Sequence, residues 1–161
     1  MRLDKRALVG AIVEVLEARL AAARAAADDA RRAATHEEAR AENDKDTRGL
    51  EQSYLARGQA MRAEELEEAA TRLRFFDPPA FADDDPIASG ALVVLACDDA
   101  EHTYFVTPVA GGHEVTLDGV RVRLVTPAAP LGAALLDKRA GDDFTLRAGG
   151  RAREYEIVRV E

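Results

Sequence analysis

Apolar positions recur in two different rhythms along this chain. In the first half, Val9, Ile12, Leu16, Leu20, Ala23, Ala27, Ala30 and Ala34 return at steps of three and four. Leu50, Ala56, Ala60, Ala63, Leu66, Ala70 and Leu73 do roughly the same. Such spacing puts one apolar stripe on a helix, at the interval a coiled coil needs. The stripe is rich in alanine, so the helices it joins must approach closely. Between the two runs, residues 35–48 (THEEARAENDKDTR) lose the stripe. A straight helix has no reason to drop its seam there, whereas the tip of an antiparallel hairpin has no partner to pack on. The pattern therefore predicts a helical hairpin over about residues 4–74, with arms of ~30 residues and ~45 Å. Thr35 with Glu38 makes a candidate capping box, and Asp46 or Thr47 a candidate cap for a second helix.

After Phe75-Phe76-Asp77-Pro78-Pro79 the rhythm changes. No proline precedes this stretch; two of the six lie in it and the other four follow it. Proline cannot continue a helix and disfavours one at the residue before it, so Asp77 to Pro86 is expected to be a linker. Beyond it, Ala91–Cys97 is an apolar strand, and His102–Val106 pairs with it across a turn at Asp98-Asp99. Glu114–Leu117 and Val120–Val125 flank Asp118-Gly119, a strong hairpin signal. Pro130–Lys138 reads as a short helix with proline at its start. Phe144–Arg147 and Tyr155–Val160 close the sheet around Gly149-Gly150. The fold class expected is α+β. Residues 1–76 would form an antiparallel coiled-coil hairpin with an acidic tip, 77–86 a linker, and 87–161 a small antiparallel β domain with one short helix.

Composition narrows the function. Of 161 residues, 32% are charged, above the usual quarter and suited to a long solvated helix. The net charge of −8 leaves the chain without the overall cationic balance that displaces counterions from nucleic-acid phosphates. Cys97 is a lone cysteine, so neither an internal disulfide nor a CxxC zinc site is possible; it reads as a small apolar strand residue. The opening MRLDKRALVGAIVEVLEARL places Glu14 inside its apolar stretch. That stretch is too short to span a bilayer and unlike a signal peptide, so a reducing cytoplasm is expected. His102 and His113 lack acidic or cysteine partners at ligand spacing. His36 sits beside acids as an alternative ligand or proton carrier. Glu37, Glu38, Glu42, Asp44 and Asp46 crowd the hairpin tip; their plain reading is a solvated face.

Particular residues resemble a known family. Thr126-Pro127, Pro130-Leu131-Gly132, Ala134-Leu135-Leu136, Lys138-Arg139, Gly141-Asp142 and Tyr155-Glu156-Ile157 are similar to the signature of the Gre transcription elongation factors, GreA and GreB. That signature runs SP-(L/I)-G-x-A-L-(L/I)-G-K-x-x-G-D, followed later by (Y/F)-x-I. Ala41-Glu42-Asn43 resembles the D-x-x-E-N of the family's hairpin tip, but the aspartate position is Ala39 here, or Thr35 in the alternative register.

The resemblance implies an FKBP-like fold for the β domain and a factor that is not a free-standing enzyme. It implies bacterial RNA polymerase as partner. The β domain would dock outside, and the coiled coil would enter the secondary channel from its rim, touching nascent RNA or DNA only inside that complex. It implies no cofactor of the chain's own, but magnesium shared with the polymerase active site, held by Glu42, Glu38 and Asp44. Carboxylates are the hard oxygen ligands magnesium prefers, and backtracked RNA would be cleaved by the polymerase. The alternative is a Gre-like channel binder that inhibits transcription without cleavage. Arg19, Arg24, Arg31, Arg32 and Arg40 either line a stripe toward RNA or polymerase or pair with acids at helical spacing. Neither a membrane nor a small-molecule substrate is expected. Two rivals remain: a prolyl isomerase, which the 5% aromatic content makes poorly equipped to line an apolar pocket, and a plain coiled-coil adaptor.

Overall fold

The computed structural model describes residues 3–40, 47–82 and 84–161, with backbone alone for 37–40 and 148. Two long helices come first, α1 (Lys5–Arg40) and α2 (Arg48–Arg74). At 1.5 Å per residue they measure about 54 Å and about 40 Å. Asp4 starts α1: its Oδ1 accepts the backbone N–H groups of Arg6 at 2.9 Å and Ala7 at 3.2 Å. Thr47 precedes α2, and its carbonyl accepts the first helical bond from Glu51 at 3.0 Å. Thr35 does not cap. It lies within α1, and its hydroxyl donates back to Arg31 O at 3.0 Å, the habit of a mid-helix threonine.

The chain divides into two compact units, Val13–Thr71 and the residues up to Ile12 with Arg72–Glu161. In the first, the helices form the expected antiparallel hairpin. Leu16, Leu20, Ala23, Ala27, Ala30 and Ala34 are buried, as are Ala63, Leu66 and Ala70. Arg24 Nη2 meets Glu67 Oε2 across the pair at 2.8 Å, so one member of the candidate arginine stripe is spent on an acid; Arg31 faces Asp28 at 3.8 Å. Leu50 departs from the expectation. It is 57% exposed, while Gly49 takes the buried position.

In the second unit six strands follow: β1 (Leu92–Cys97), β2 (Ala100–Val106), β3 (Glu114–Leu117), β4 (Val120–Val125), β5 (Asp143–Ala148) and β6 (Arg151–Val160), with α3 (Pro130–Leu135) before β5. Their order is β3-β4-β2-β1-β6-β5. β1 lies inside the sheet, and its side chains alternate between two buried faces. Val93 and Leu95 join Ile87, Val106, Leu135 and Ile157 in one cluster. Leu92 pairs in register with Phe105, whose ring meets that of Phe76 edge-on at 6.5 Å. Burial on both faces explains why the strand reads as an unbroken apolar run. Three two-residue turns, Asp98-Asp99, Asp118-Gly119 and Gly149-Gly150, have positive φ throughout, the geometry that matches strand twist.

One pairing differs from the fully antiparallel sheet expected. β2 and β4 run parallel, with Phe105 opposite Leu124. The β3–β4 hairpin forms as anticipated but docks through β4. Val122, Leu124 and Val125 are buried, whereas Glu114 and Thr116 on β3 are exposed. The more apolar strand takes the inner place, and residues 107–119 supply the crossover that a parallel pair requires.

The segment after α2 is tied into the same unit. Arg6 Nε donates to Asp77 Oδ1 at 3.0 Å. The Lys5 ammonium donates to the carbonyls of Pro79 and Gly90 and stands over the Phe81 ring at 4.6 Å. Arg139 Nε donates to Asp84 O at 2.8 Å.

Candidate functional site

The motif residues resolve into three close fits of backbone. Gly132 is buried in α3, and a Cβ built on it would lie 1.9 Å from Thr126 O. Only glycine lets the helix settle onto that carbonyl, which also accepts Ala129 N–H at 3.0 Å. α3 ends at Leu135, earlier than the Lys138 expected, because Asp137 adopts φ 65°. That left-handed residue turns the chain so that Asp137 N–H donates to Ile87 O at 3.0 Å and Ile87 N–H to Lys138 O at 2.7 Å. The Gre signature has glycine at the position of Asp137. Next, Arg139 to Asp142 make a tight turn. Gly141 takes φ 88°, the positive angle a type II turn places third, and Asp142 Oδ2 accepts Arg139 N–H at 2.8 Å. Gly141 N–H then donates to Ile157 O at 2.7 Å, and Ile157 is fully buried. Gly132, Gly141, Asp142 and Ile157 therefore act first on the fold.

Beside them lies a depression of about 580 Å³, lined by Tyr104, His113, Arg123, Thr126, Leu131 and neighbouring residues. Arg123 Nη1 reaches Tyr104 Oη at 3.5 Å and its Nε reaches Glu114 Oε2 at 3.3 Å. The bond to Tyr104, then Glu114, holds the guanidinium pKa above its ordinary value, so the rim keeps its charge. Leu131 and Ala129 are half-buried and give the wall an apolar part. The combination, an apolar wall with one oriented guanidinium, suits a protein partner better than a reaction centre. The motif reading anticipated Thr126 and Leu131. Tyr104 and Arg123 were not singled out; the Arg121-x-Arg123 alternation on an otherwise apolar β4 was the available signal.

A second depression, of about 650 Å³, is lined by Cys97, Asp98, Asp143, Phe144, Glu154 and Tyr155 among others. Burial, then Asp98, raises the Cys97 thiol above its usual pKa, which disfavours the reactive thiolate.

Of the candidate tip acids, Glu42, Asp44 and Asp46 lie outside the described residues. Glu38 is placed by backbone in the last turn of α1. No group of three His, Cys, Asp or Glu able to hold a metal occurs among the described residues. The donor set nominated from sequence is carboxylate alone, chemically fit for magnesium. His36 is exposed on α1.

Residues 82–161 match the family described as transcription elongation factor, GreA/GreB, C-term. The β unit is therefore of the GreA/GreB C-terminal type, and the same chain carries the helical hairpin before it. Curated GreA proteins align with it: that of Rhodospirillum rubrum is 30% identical over 99 residues, 62% of this chain and 60% of its own. That of Alkalilimnicola ehrlichii is 34% identical over 101 residues, with the same shares. The alignments thus span about 60% of the length of these GreA relatives. A solved structure, GreA factor homolog 1 (Gfh1) of Thermus thermophilus, aligns over 92% of this chain and 94% of its own. It does so at 21% identity and a TM-score of 0.38. No helix among the described residues is long and apolar enough to cross a membrane.

Proposed function

We propose that this chain is a transcription elongation factor that acts on bacterial RNA polymerase and has no free-standing activity. The observation that carries the proposal is the family match over residues 82–161, whose signature residues Thr126 and Leu131 line the Tyr104–Arg123–Leu131 depression. In this reading the depression docks on the polymerase rim. The hairpin then presents its tip in the secondary channel. A rigid arm is the economical way to deliver carboxylates, since it needs no pocket of its own. Glu42, with Glu38 and Asp44 as helpers, would hold the polymerase's magnesium. When bound, that ion stabilises the oxygens of an in-line displacement on backtracked RNA. The chain's own part is to position these acids.

A second reading has a specific observation in its favour. The family's tip aspartate falls on Ala39 or Thr35 in this sequence, and Thr35 Oγ1 is engaged by Arg31 O. Under that reading the factor occupies the channel and slows transcription without cleavage.

The test uses a stalled bacterial elongation complex. Leu131→Glu and Arg123→Glu should weaken polymerase binding by at least about tenfold, the scale of a central interface contact. Glu42→Gln, Glu38→Gln and Asp44→Asn should lower RNA cleavage while binding stays near normal. A wild-type chain that binds and slows transcription without shortening the RNA establishes the inhibitor. Tip variants that change neither behaviour refute the site.

A further inference from the structure

Four of the large apolar side chains left in solvent among the described residues stand on α2: Leu50 at 57% exposure, Tyr54 at 67%, Leu55 at 51% and Met61 at 55%. At 100° per residue they share one side of the helix, within an arc of about 140°. The buried Ala63, Leu66 and Ala70 begin where that arc ends, about 20° beyond Leu55. Gly58 falls in the middle of the exposed arc. Glycine is the poorest interior helix former after proline, and a Cβ at Gly58 would meet no atom within 4 Å. No close neighbour in the structure therefore calls for a glycine there. An apolar patch with a gap at its centre is shaped to receive a side chain from outside.

Charge indicates whose side chain. Glu51 and Arg62 flank the patch and are exposed; Arg62 also reaches Glu65 on its own helix at 3.4 Å, a surface pair weak enough to be exchanged. The midpoint between them, between Ala56 and Arg57, is also the midpoint between Leu55 and Gly58. A two-fold axis there would relate two antiparallel α2 helices. Glu51 of one copy then meets Arg62 of the other, and Leu55 of one meets the gap at Gly58 of the other. Each contact is made twice, as a self-complementary interface demands. We propose that this face of α2 is a self-association surface whose occupant is α2 of a second copy of this chain. The patch is short, smaller than a standard stable interface, and the net charge of −8 on each copy opposes pairing. The dimer is therefore weak, with a Kd on the order of 10–100 µM. This inference does not depend on polymerase docking.

Sedimentation equilibrium on the full chain, from about 5 to about 500 µM to bracket that Kd, tests it. The mean mass should climb from 17.4 kDa toward twice that value. Glu51→Arg and Arg62→Glu should each weaken pairing at least about tenfold, and the two together should restore it to within about threefold. Glu51→Arg also makes the chain less acidic, which by general repulsion alone would tighten pairing, so a loss is specific. Gly58→Leu should weaken pairing while raising the melting temperature, which separates a filled gap from damaged folding. A chain that stays monomeric throughout overturns the proposal, as does a charge swap that fails to restore pairing. Monomeric behaviour together with lost polymerase affinity in Tyr54→Ala and Met61→Ala would assign the patch to the polymerase instead.

Discussion

Gly132 rides directly over the carbonyl oxygen of Thr126, and a Cβ added to it would lie 1.9 Å from that oxygen. The neighbour is backbone, held by Ala129 N–H at 3.0 Å, so it cannot swing aside like a flexible side chain. Gly132→Ala should therefore destabilise the protein by on the order of 3 kcal/mol, among the larger single-residue effects. Urea unfolding followed by circular dichroism measures it. A loss below about 0.5 kcal/mol, ordinary for a surface change, would mean that α3 can lift off Thr126 freely.

Asp137 makes the opposite case. Its φ of 65° lies where a side chain is strained by about 1–2 kcal/mol, somewhat less for aspartate. Glycine removes that strain but widens the unfolded ensemble. Asp137→Gly should stabilise by ~0.5–1 kcal/mol net. The denaturation midpoint should rise with an unchanged slope; a fall would show that the aspartate side chain does more than occupy the turn.

Thr107 is fully buried, and its hydroxyl has no hydrogen-bond partner among the described residues. An unsatisfied buried hydroxyl costs about 1–3 kcal/mol, and replacing it with an apolar group of the same shape removes that cost. Thr107→Val should be neutral or stabilising by ~1 kcal/mol. The backbone bond from Thr107 N–H to Val125 O at 2.9 Å is left intact by the change. Measured destabilisation beyond about 1 kcal/mol would reveal a partner for the hydroxyl.

Cys97 gives stability a dependence on alkaline pH. Burial first, then the Asp98 carboxylate, raises its thiol pKa above the ordinary thiol range. Below that range both folded and unfolded chains hold the proton, and there is no difference between them. As pH rises through it, the unfolded chain ionises first, so stability falls. Unfolding at neutral pH and at about pH 9.5, just above the thiol's ordinary range, should show a larger loss in the wild type than in Cys97→Ala. Equal losses would place the titration elsewhere. The native thiol should also react with iodoacetamide more slowly than free cysteine at the same pH.

The division of the chain into helices and strands was legible because each period is imposed by burial on one face. The α1 seam from Leu16 to Ala34 is buried as spacing demands. Leu50 was misassigned because spacing alone does not say which apolar residue meets the partner helix; Gly49 fills that place. The parallel β2–β4 pair escaped for a different reason. Alternation fixes which face a side chain takes but not which edge of a hairpin docks. That choice depended on the balance between Val122, Leu124 and Val125 on one strand and Glu114 and Thr116 on the other. At the candidate site, Thr126, Gly132 and Asp142 stood out as a motif, whereas Tyr104 and Arg123 meet only through the parallel β2–β4 pairing, in which they are opposite each other.

The place of β1 also dictates when the sheet can be finished. Val93 gains its partner Tyr104 on one side as soon as the Asp98-Asp99 turn closes. On the other side it waits for Val160. During synthesis on the ribosome the first hairpin can therefore form early, while an apolar flank of β1 stays open until β6 has left the exit tunnel. That interval is when the nascent chain is most exposed to wrong strand partners and to holding chaperones.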